Sequence, residues 1–363
     1  MPDVYSATCT NLLTGRIIAT AQVQASSPAD AELKAIAVTG IIPTTTIAWS
    51  ATLPVLQNYF PVLGDPTGIG DSTPAVTAAY NAAIAAGGGH VYFGPGLWKM
   101  GTVSIPPAPN AFKYTWPPLV HFQFAGIGAT ILTPLAANQP LFNVPSGQAA
   151  GVRFQGGFTI QAHTGGSTGP AIDLTGARQW VIESVNYFDS LRGAAGVPGT
   201  YNQVIGFGLN AYANRIINPI CEGQRLGQSF AGVASVSSGA TSANLIDNPL
   251  LEGNTATYMI DGAGSVLLTV AGGIIEGNTV TAGVRLGYLT AVRNCHFELN
   301  VAFFMDGSGV DVVSPGQCFI ENCIFNSGSG TLTLPTGTTG HNRFMGPLAA
   351  LTVIDNAGAA LFY

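Results

Sequence analysis

Charge is the scarcest property of this chain. Asp, Glu, Lys and Arg make up 8% of its 363 residues, about a third of the usual share of about 25%. Twelve Lys and Arg spread over that length form no basic stripe, so no nucleic-acid partner is expected. No run of eighteen apolar residues occurs, so membrane insertion through a helix is not expected either. The opening MPDVYSATCTNLLTGR has no basic stretch leading into an apolar run, which is not the pattern of a signal peptide. Cysteine is sparse too. Cys9, Cys221, Cys295, Cys318 and Cys323 are odd in number and lack zinc-like spacing, and they read as reduced, buried side chains. The segment DGSGVD (306–311) lacks the repeated Asp and terminal Glu of a calcium loop and reads as a turn. His90, His121, His163 and His341 are scattered and form no triad with Ser or Cys. No cofactor and no metal are expected.

Glycine is what the chain has in excess. Its 47 glycines are nearly twice the usual share of about 7%. Glycine costs a helix about 1 kcal/mol per residue relative to alanine, so a mainly helical chain has little use for so many. Disorder is excluded from the other side, because 47% of the residues are hydrophobic and the net charge is only −6. Many short strands joined by tight turns satisfy both observations.

Four stretches can be separated. Residues 1–40 read as a small module of two strands around a Leu-Thr-Gly turn, then a short helix with Ser27 as N-cap, Pro28 at N1 and Gly40 past its end. Residues 41–63 read as a Pro/Thr-rich linker. Residues 64–330 open with a helix over 72–86, with Thr73 as the expected cap and Pro74 as its first helical residue. Val76, Ala79, Tyr80, Ala83 and Ile84 fall on one face at helical spacing. After a Gly run, HVYF and VHFQF alternate as strands do. Residues 331–363 read as further strands, a C-terminal β cap or trimer tip.

An internal repeat then dominates. NPICEGQ (218–224), NPLLEGN (248–254), GGIIEGN (272–278), NCHFELN (294–300) and NCIFNSG (322–328) lie over one another. Glu222, Glu252, Glu276, Glu298 and Asn326 are register-matched, at steps of 30, 24, 22 and 28 residues. Unequal steps suit a coil of short strands whose connecting loops differ in length. One coil cannot bury its own apolar residues, but coils stacked about 4.8 Å apart satisfy each other's backbone groups. Cys221, Leu251, Ile275, Phe297 and Phe325 then form one inward column, and Cys295 and Cys323 a shorter one. Asn218, Asn248, Asn294 and Asn322 recur three residues earlier, at a bend where Asn tolerates unusual φ/ψ. About 250 residues at roughly 25 per coil give on the order of ten rungs.

The segment GDPTGIGDSTPAVTAAYNAAIAAGGGHVYFGPGLWKMGTVSIP (64–106) resembles the lead-in of pectate-lyase-like parallel β-helix proteins of the bacteriophage tailspike type. That lead-in is an acidic Gly-rich turn, an Ala-rich helix, a Gly run and two strands. Here only Asp65 and Asp71 remain of the usual acidic turn, and Trp98 stands where a Tyr is usual. The resemblance implies a right-handed, single-stranded parallel β-helix whose first helix caps the open end. It also implies a homotrimer that engages host surface glycan, with the N-terminal module attached to phage tail or portal/adaptor proteins. The expected location is the virion, acting at the host cell surface.

The candidate chemistry lies in the glutamate column. Glu222, Glu252, Glu276 and Glu298 each follow an inward residue and so face outward. Neighbouring rungs would hold carboxylates about 5 Å apart and alternate rungs about 9.6 Å apart. Retaining glycosidases use a carboxyl pair about 5–5.5 Å apart, and inverting ones about 6.5–9.5 Å. Like charges that close resist full ionisation, which favours a general acid. Arg225 and Arg293 are candidate counter-charges, and His296 a candidate orienting group for Glu298. Asp247, Asp261, His296, Tyr258 and Tyr288 are candidate substrate contacts, with Trp180 and Tyr187 as further stacking faces. The plain reading of the column is outward Glu at β-helix bends, bonded to turn amides or to a neighbouring subunit. Three functions compete: a tailspike that binds and cleaves surface polysaccharide by hydrolysis, a non-catalytic adhesive or structural spike, and a cellular polysaccharide lyase. The lyase is weakest, since such enzymes use calcium and a basic residue.

Overall fold

Alternation of buried and outward residues decides where the strands lie. The computed structural model describes residues 3–11, 17–25, 27–39, 41–44, 47–52, 59–105, 120–145, 149–163, 167–188, 201–222, 241–262, 265–285, 290–298, 319–325, 331–334, 342–345, 352–355 and 360–362. The chain divides into two compact units, Met1–Tyr59 and Phe60–Tyr363.

The first unit is an antiparallel sheet with a helix. Asp3–Asn11 pairs with Ile17–Ala25 on one side and with Ile47–Thr52 on the other. The third strand lies inside the stretch expected to be linker; its backbone pairs residue by residue with the first strand, so part of that stretch belongs to the module. Helix α1, Pro28–Thr39, starts as expected. Ser27 Oγ accepts the Asp30 N–H at 3.2 Å, a capping bond that satisfies one of the helix's orphan donors. Cys9, Ala31 and Ala35 are buried.

The second unit is the parallel β-helix that the repeat implies. Short strands stack into a twelve-stranded sheet and a nine-stranded sheet. Shorter ladders occupy the remaining sides, among them Thr255–Asp261 on Thr279–Arg285. The inward column of the nine-stranded sheet runs Trp98, Leu132, Ile160, Tyr187, Cys221, Leu251, Ile275, Phe297 in unbroken register, and the backbone of Phe325 pairs next in line. The twelve-stranded sheet extends through Asn342–Met345 and Ala360–Phe362, so strands beyond residue 330 continue the same ladder.

Helix α2, Thr73–Ala85, packs at the start of this unit. Val76, Ala79, Tyr80 and Ala83 are buried, and the Tyr80 ring stacks on Phe122 at 5.9 Å. Ile84, expected on the same face, is 36% exposed. The N-cap is Ser72, without a side-chain cap bond, rather than Thr73. The Ser72 hydroxyl is committed elsewhere: it accepts from Asp65 N at 3.1 Å and donates to Asp65 O at 3.2 Å. The Asp65 carboxylate in turn accepts from Thr67 Oγ1, Thr67 N and Gly70 N. These bonds, that of the Thr67 hydroxyl first, hold its carboxyl below the ordinary carboxylate range.

The core is aromatic near this end. Phe154 lies 5.1 Å from Phe122, 4.9 Å from Phe142 and 5.7 Å from Trp180, centroid to centroid. Such pairs add about 0.5–1.5 kcal/mol each beyond the area they bury. Further along, buried amides take over. Asn278 Oδ1 accepts from both the backbone and side-chain nitrogens of Asn254 at 2.9 Å, and Asn278 Nδ2 donates to Leu251 O at 2.8 Å. Asn214 and Asn244 form a second pair of the same kind.

Corners between sheets are made by single left-handed residues. Asn218, Asn248, Asn294 and Asn322 have φ of 50°, 52°, 55° and 53°, as expected for the recurring Asn. Gly272 (φ 68°) occupies the same corner in the rung without Asn, because glycine reaches this region without Cβ strain. A second corner is made by Gln179, Ala213, Ala243 and Leu267, with φ of 54–58°. Among the described residues no helix is long and apolar enough to cross a membrane.

Candidate functional site

The glutamates stand on the nine-stranded sheet in strands Ile220–Glu222, Leu250–Glu252, Ile274–Glu276 and His296–Glu298. Glu222 pairs with Glu252, Glu252 with Glu276, and Glu276 with Glu298. Each strand places its middle residue in the core and its two ends outside, as period-two alternation requires. Every rung therefore presents one carboxylate and, two residues before it, Ile220, Leu250, Ile274 or His296. Glu222 and Glu252 are exposed, and Glu276 and Glu298 half-buried.

What fixes the ladder is the turn that follows it. Gly253 (φ 64°) and Gly277 (φ 60°) come directly after Glu252 and Glu276. Their N–H groups donate to the backbone carbonyls of Glu276 and Glu298 at 3.0 and 2.8 Å. Asn254 and Asn278 come next and form the buried amide pair. All four carboxylates thus stand on strand ends held in register by backbone pairing, and the polar pair in the core follows directly on the turns after Glu252 and Glu276. In-register parallel strands are about 4.8 Å apart, so neighbouring rungs of the column repeat at about that spacing and alternate rungs at about twice it. His296 Nε2 lies 3.3 Å from Glu298 Oε2, close enough to orient it.

The other expected residues separate from this column. Asp247 is on the twelve-stranded sheet, around the Asn248 corner, where Arg215 Nη2 lies 4.0 Å from its carboxylate. Asp261 is buried at 3% exposure, so it presents no ligand-facing surface. Tyr258 is in strand Thr255–Asp261, opposite Ala282. Trp180 and Tyr187 are core residues at 0% and 1% exposure, so they offer no stacking face; each holds an inward position of its rung. Arg293 is on the twelve-stranded sheet, with Nε 2.9 Å from Glu321 Oε2, and is committed there rather than to the glutamates. Tyr288, Arg225, Asn326, Cys318, His341 and residues 306–311 lie outside the described residues. Among the described residues no three His, Cys, Asp or Glu side chains gather as a metal-binding group.

Two features of the other sheet escape the sequence reading. Its outward face carries cross-strand ion pairs, Arg153–Glu183, Arg215–Asp247 and Arg293–Glu321. His90 and His121, which are 31 residues apart in the chain, are register partners with rings 5.2 Å apart. Alternation within HVYF and VHFQF places both outside, but only the pairing register brings them together.

Fold and site together define a parallel β-helix bearing an outward carboxylate ladder. No family model matches this chain, and no curated protein matches it by sequence. Solved structures with a similar fold include a mutant tailspike protein of E. coli bacteriophage HK620 in complex with a hexasaccharide, at 13% identity and a TM-score of 0.51, covering 88% of this chain and 66% of that one. The ORF18 protein of Geobacillus virus E2 matches at 16% identity and a TM-score of 0.48, over 96% of this chain and 64% of that one. The A-module of mannuronan C-5 epimerase AlgE4 from Azotobacter vinelandii matches at 12% identity and a TM-score of 0.39, over 84% and 97%. This chain spans just under two thirds of the length of the two viral proteins.

Proposed function

We propose that this chain is a bacteriophage tailspike or receptor-binding protein that engages host surface polysaccharide, lipopolysaccharide or capsule, along the glutamate face of its β-helix. The observation that carries the reading is the in-register column Glu222, Glu252, Glu276, Glu298 on an outward sheet. The half-exposed aliphatic residues beside it support the same reading, because sugar rings have apolar faces as well as hydroxyls. In this reading the antiparallel module of residues 3–52 attaches to the phage tail or portal/adaptor proteins. Three copies assemble in parallel, and the protein acts from the virion at the host surface.

Hydrolysis uses two members of the column. With neighbouring rungs, one carboxylate attacks the anomeric carbon while the other protonates the leaving oxygen; the second group then takes a proton from the water that breaks the glycosyl–carboxylate bond, and the two inversions retain configuration. With alternate rungs, one carboxylate activates a water and configuration is inverted. His296 positions Glu298 in either case.

The test is a reducing-end assay on purified lipopolysaccharide and capsule with the native chain, Glu252→Gln and Glu276→Gln. Loss of a catalytic carboxylate should lower the rate by roughly a hundredfold or more, with glycan binding retained. Binding without new reducing ends in any sample would leave an adhesive spike. Neither binding nor cleavage across a panel of host glycans would refute the proposal.

A further inference from the structure

On the outward face of the twelve-stranded sheet, His90, His121 and Arg153 occupy successive positions of one column. Beside them Tyr92, Gln123 and Gln155 occupy successive positions of the next outward column. The glutamines are already oriented: Gln155 Nε2 donates to Gln123 Oε1 at 2.7 Å and reaches His90 Nδ1 at 3.2 Å. Among the described residues, His121 Nδ1 is buried without a hydrogen-bond partner. Arg153 is half-exposed and its Nε lies 3.8 Å from the Glu183 carboxylate, one strand further on.

We propose that the column His90, His121 and Arg153, with Gln123 and Gln155 alongside, binds an anionic substituent of a glycan, a carboxylate or a phosphate. Three basic side chains about 4.8 Å apart repel one another and are together short of negative charge. A metal cation is disfavoured by the guanidinium that completes the column. An anion bridging the histidines and Arg153 gains charge-assisted hydrogen bonds, and the adjacent amides suit the hydroxyls of the same sugar.

The site also links binding to protons. Burial, then the proximity of His90 and Arg153, lowers the His121 pKa below its ordinary 6.5. A bound anion reverses the last two influences, so binding takes up a proton and proton uptake strengthens binding. The charged groups that face His121 are His90 on one neighbouring strand and Arg153 on the other, with Glu183 beyond Arg153.

The test is calorimetric titration of the full chain with a glucuronate-bearing oligosaccharide, its carboxyl-reduced counterpart and a phosphorylated sugar. It is run at about pH 7.5 and about pH 5.5, on either side of the ordinary histidine value. The acidic ligand should bind at least about tenfold tighter than the carboxyl-reduced one, and tighter at the lower pH. Whichever of carboxylate and phosphate binds better identifies the source of the anion. Arg153→Gln should lose about tenfold, and the double variant His90→Gln/His121→Gln should lose the pH dependence. Glu252→Gln and Glu276→Gln should leave this binding unchanged, which separates it from the glutamate ladder. Equal affinity for acidic and carboxyl-reduced ligands, or native affinity in Arg153→Gln, would overturn the proposal. Arg153→Gln alters one half-exposed side chain, so it remains a test even if the histidine variant fails to fold.

Discussion

Replacing Asn278 by Ala probes the link between core and ladder. Asn278 is fully buried and serves three groups: the Asn254 backbone N–H, the Asn254 side-chain amide and the Leu251 carbonyl. Alanine leaves all three without that partner in a region sealed from water. A buried polar group that loses its partner costs about 1–3 kcal/mol. With partial relaxation the variant should lose about 3 kcal/mol, or roughly 5 °C in melting temperature for a unit of this size. The loss should be local in effect as well. Asn254 and Asn278 lie two residues beyond Glu252 and Glu276, so the strand ends that carry the carboxylates lose their anchor. Urea and thermal unfolding of Asn278→Ala, Asn254→Ala and the double variant give the coupling between the two amides. The double variant should be much less destabilised than the sum of the singles, because each single strands the other's polar groups. Additive losses, or a cost under about 1 kcal/mol for Asn278→Ala, would refute the picture of a dry, mutually satisfied pair.

Three further outcomes are expected. Phe154→Ala removes a ring that touches Phe122, Phe142 and Trp180 and should cost about 3–5 kcal/mol, measured by denaturant unfolding. Leu267→Asn should raise stability by up to about 1 kcal/mol, because a left-handed φ of 58° at a largely exposed leucine strains a residue type that rarely visits that region; an unchanged or lower midpoint would count against it. His121 contributes nothing to pH dependence above its ordinary 6.5, where it is neutral folded and unfolded alike. As pH falls below 6.5 the unfolded chain takes up the proton first, so stability should fall, and His121→Gln should flatten that part of a melting-temperature profile.

The parallel coil and its glutamate column are legible in the sequence because the rungs from residue 218 onward repeat a corner residue, an apolar centre and an outward acid. The Asn at that corner is itself a signal, since its side chain tolerates left-handed backbone. The second corner is silent. Gln179, Ala213, Ala243 and Leu267 have no turn chemistry in common, and tertiary pairing imposes the conformation on them. The histidine pair is silent for another reason: its register depends on a step of 31 residues in the first rungs, where the Asn and Glu markers are missing. Asp261 and Tyr187 lie in the core, and residue type says little about which side of a short strand faces inward. One residue of register exchanges core for surface.

The steps between equivalent glutamates change from 30 to 24 to 22 residues, yet the pairing from Cys221 to Phe325 never slips. All of the difference is taken up in the stretches that leave the nine-stranded sheet and return to the twelve-stranded one. A foreign segment spliced into one of those stretches would lengthen the path between the two sheets while the column keeps its register. The glutamate column therefore keeps its register while the length of chain between its members varies.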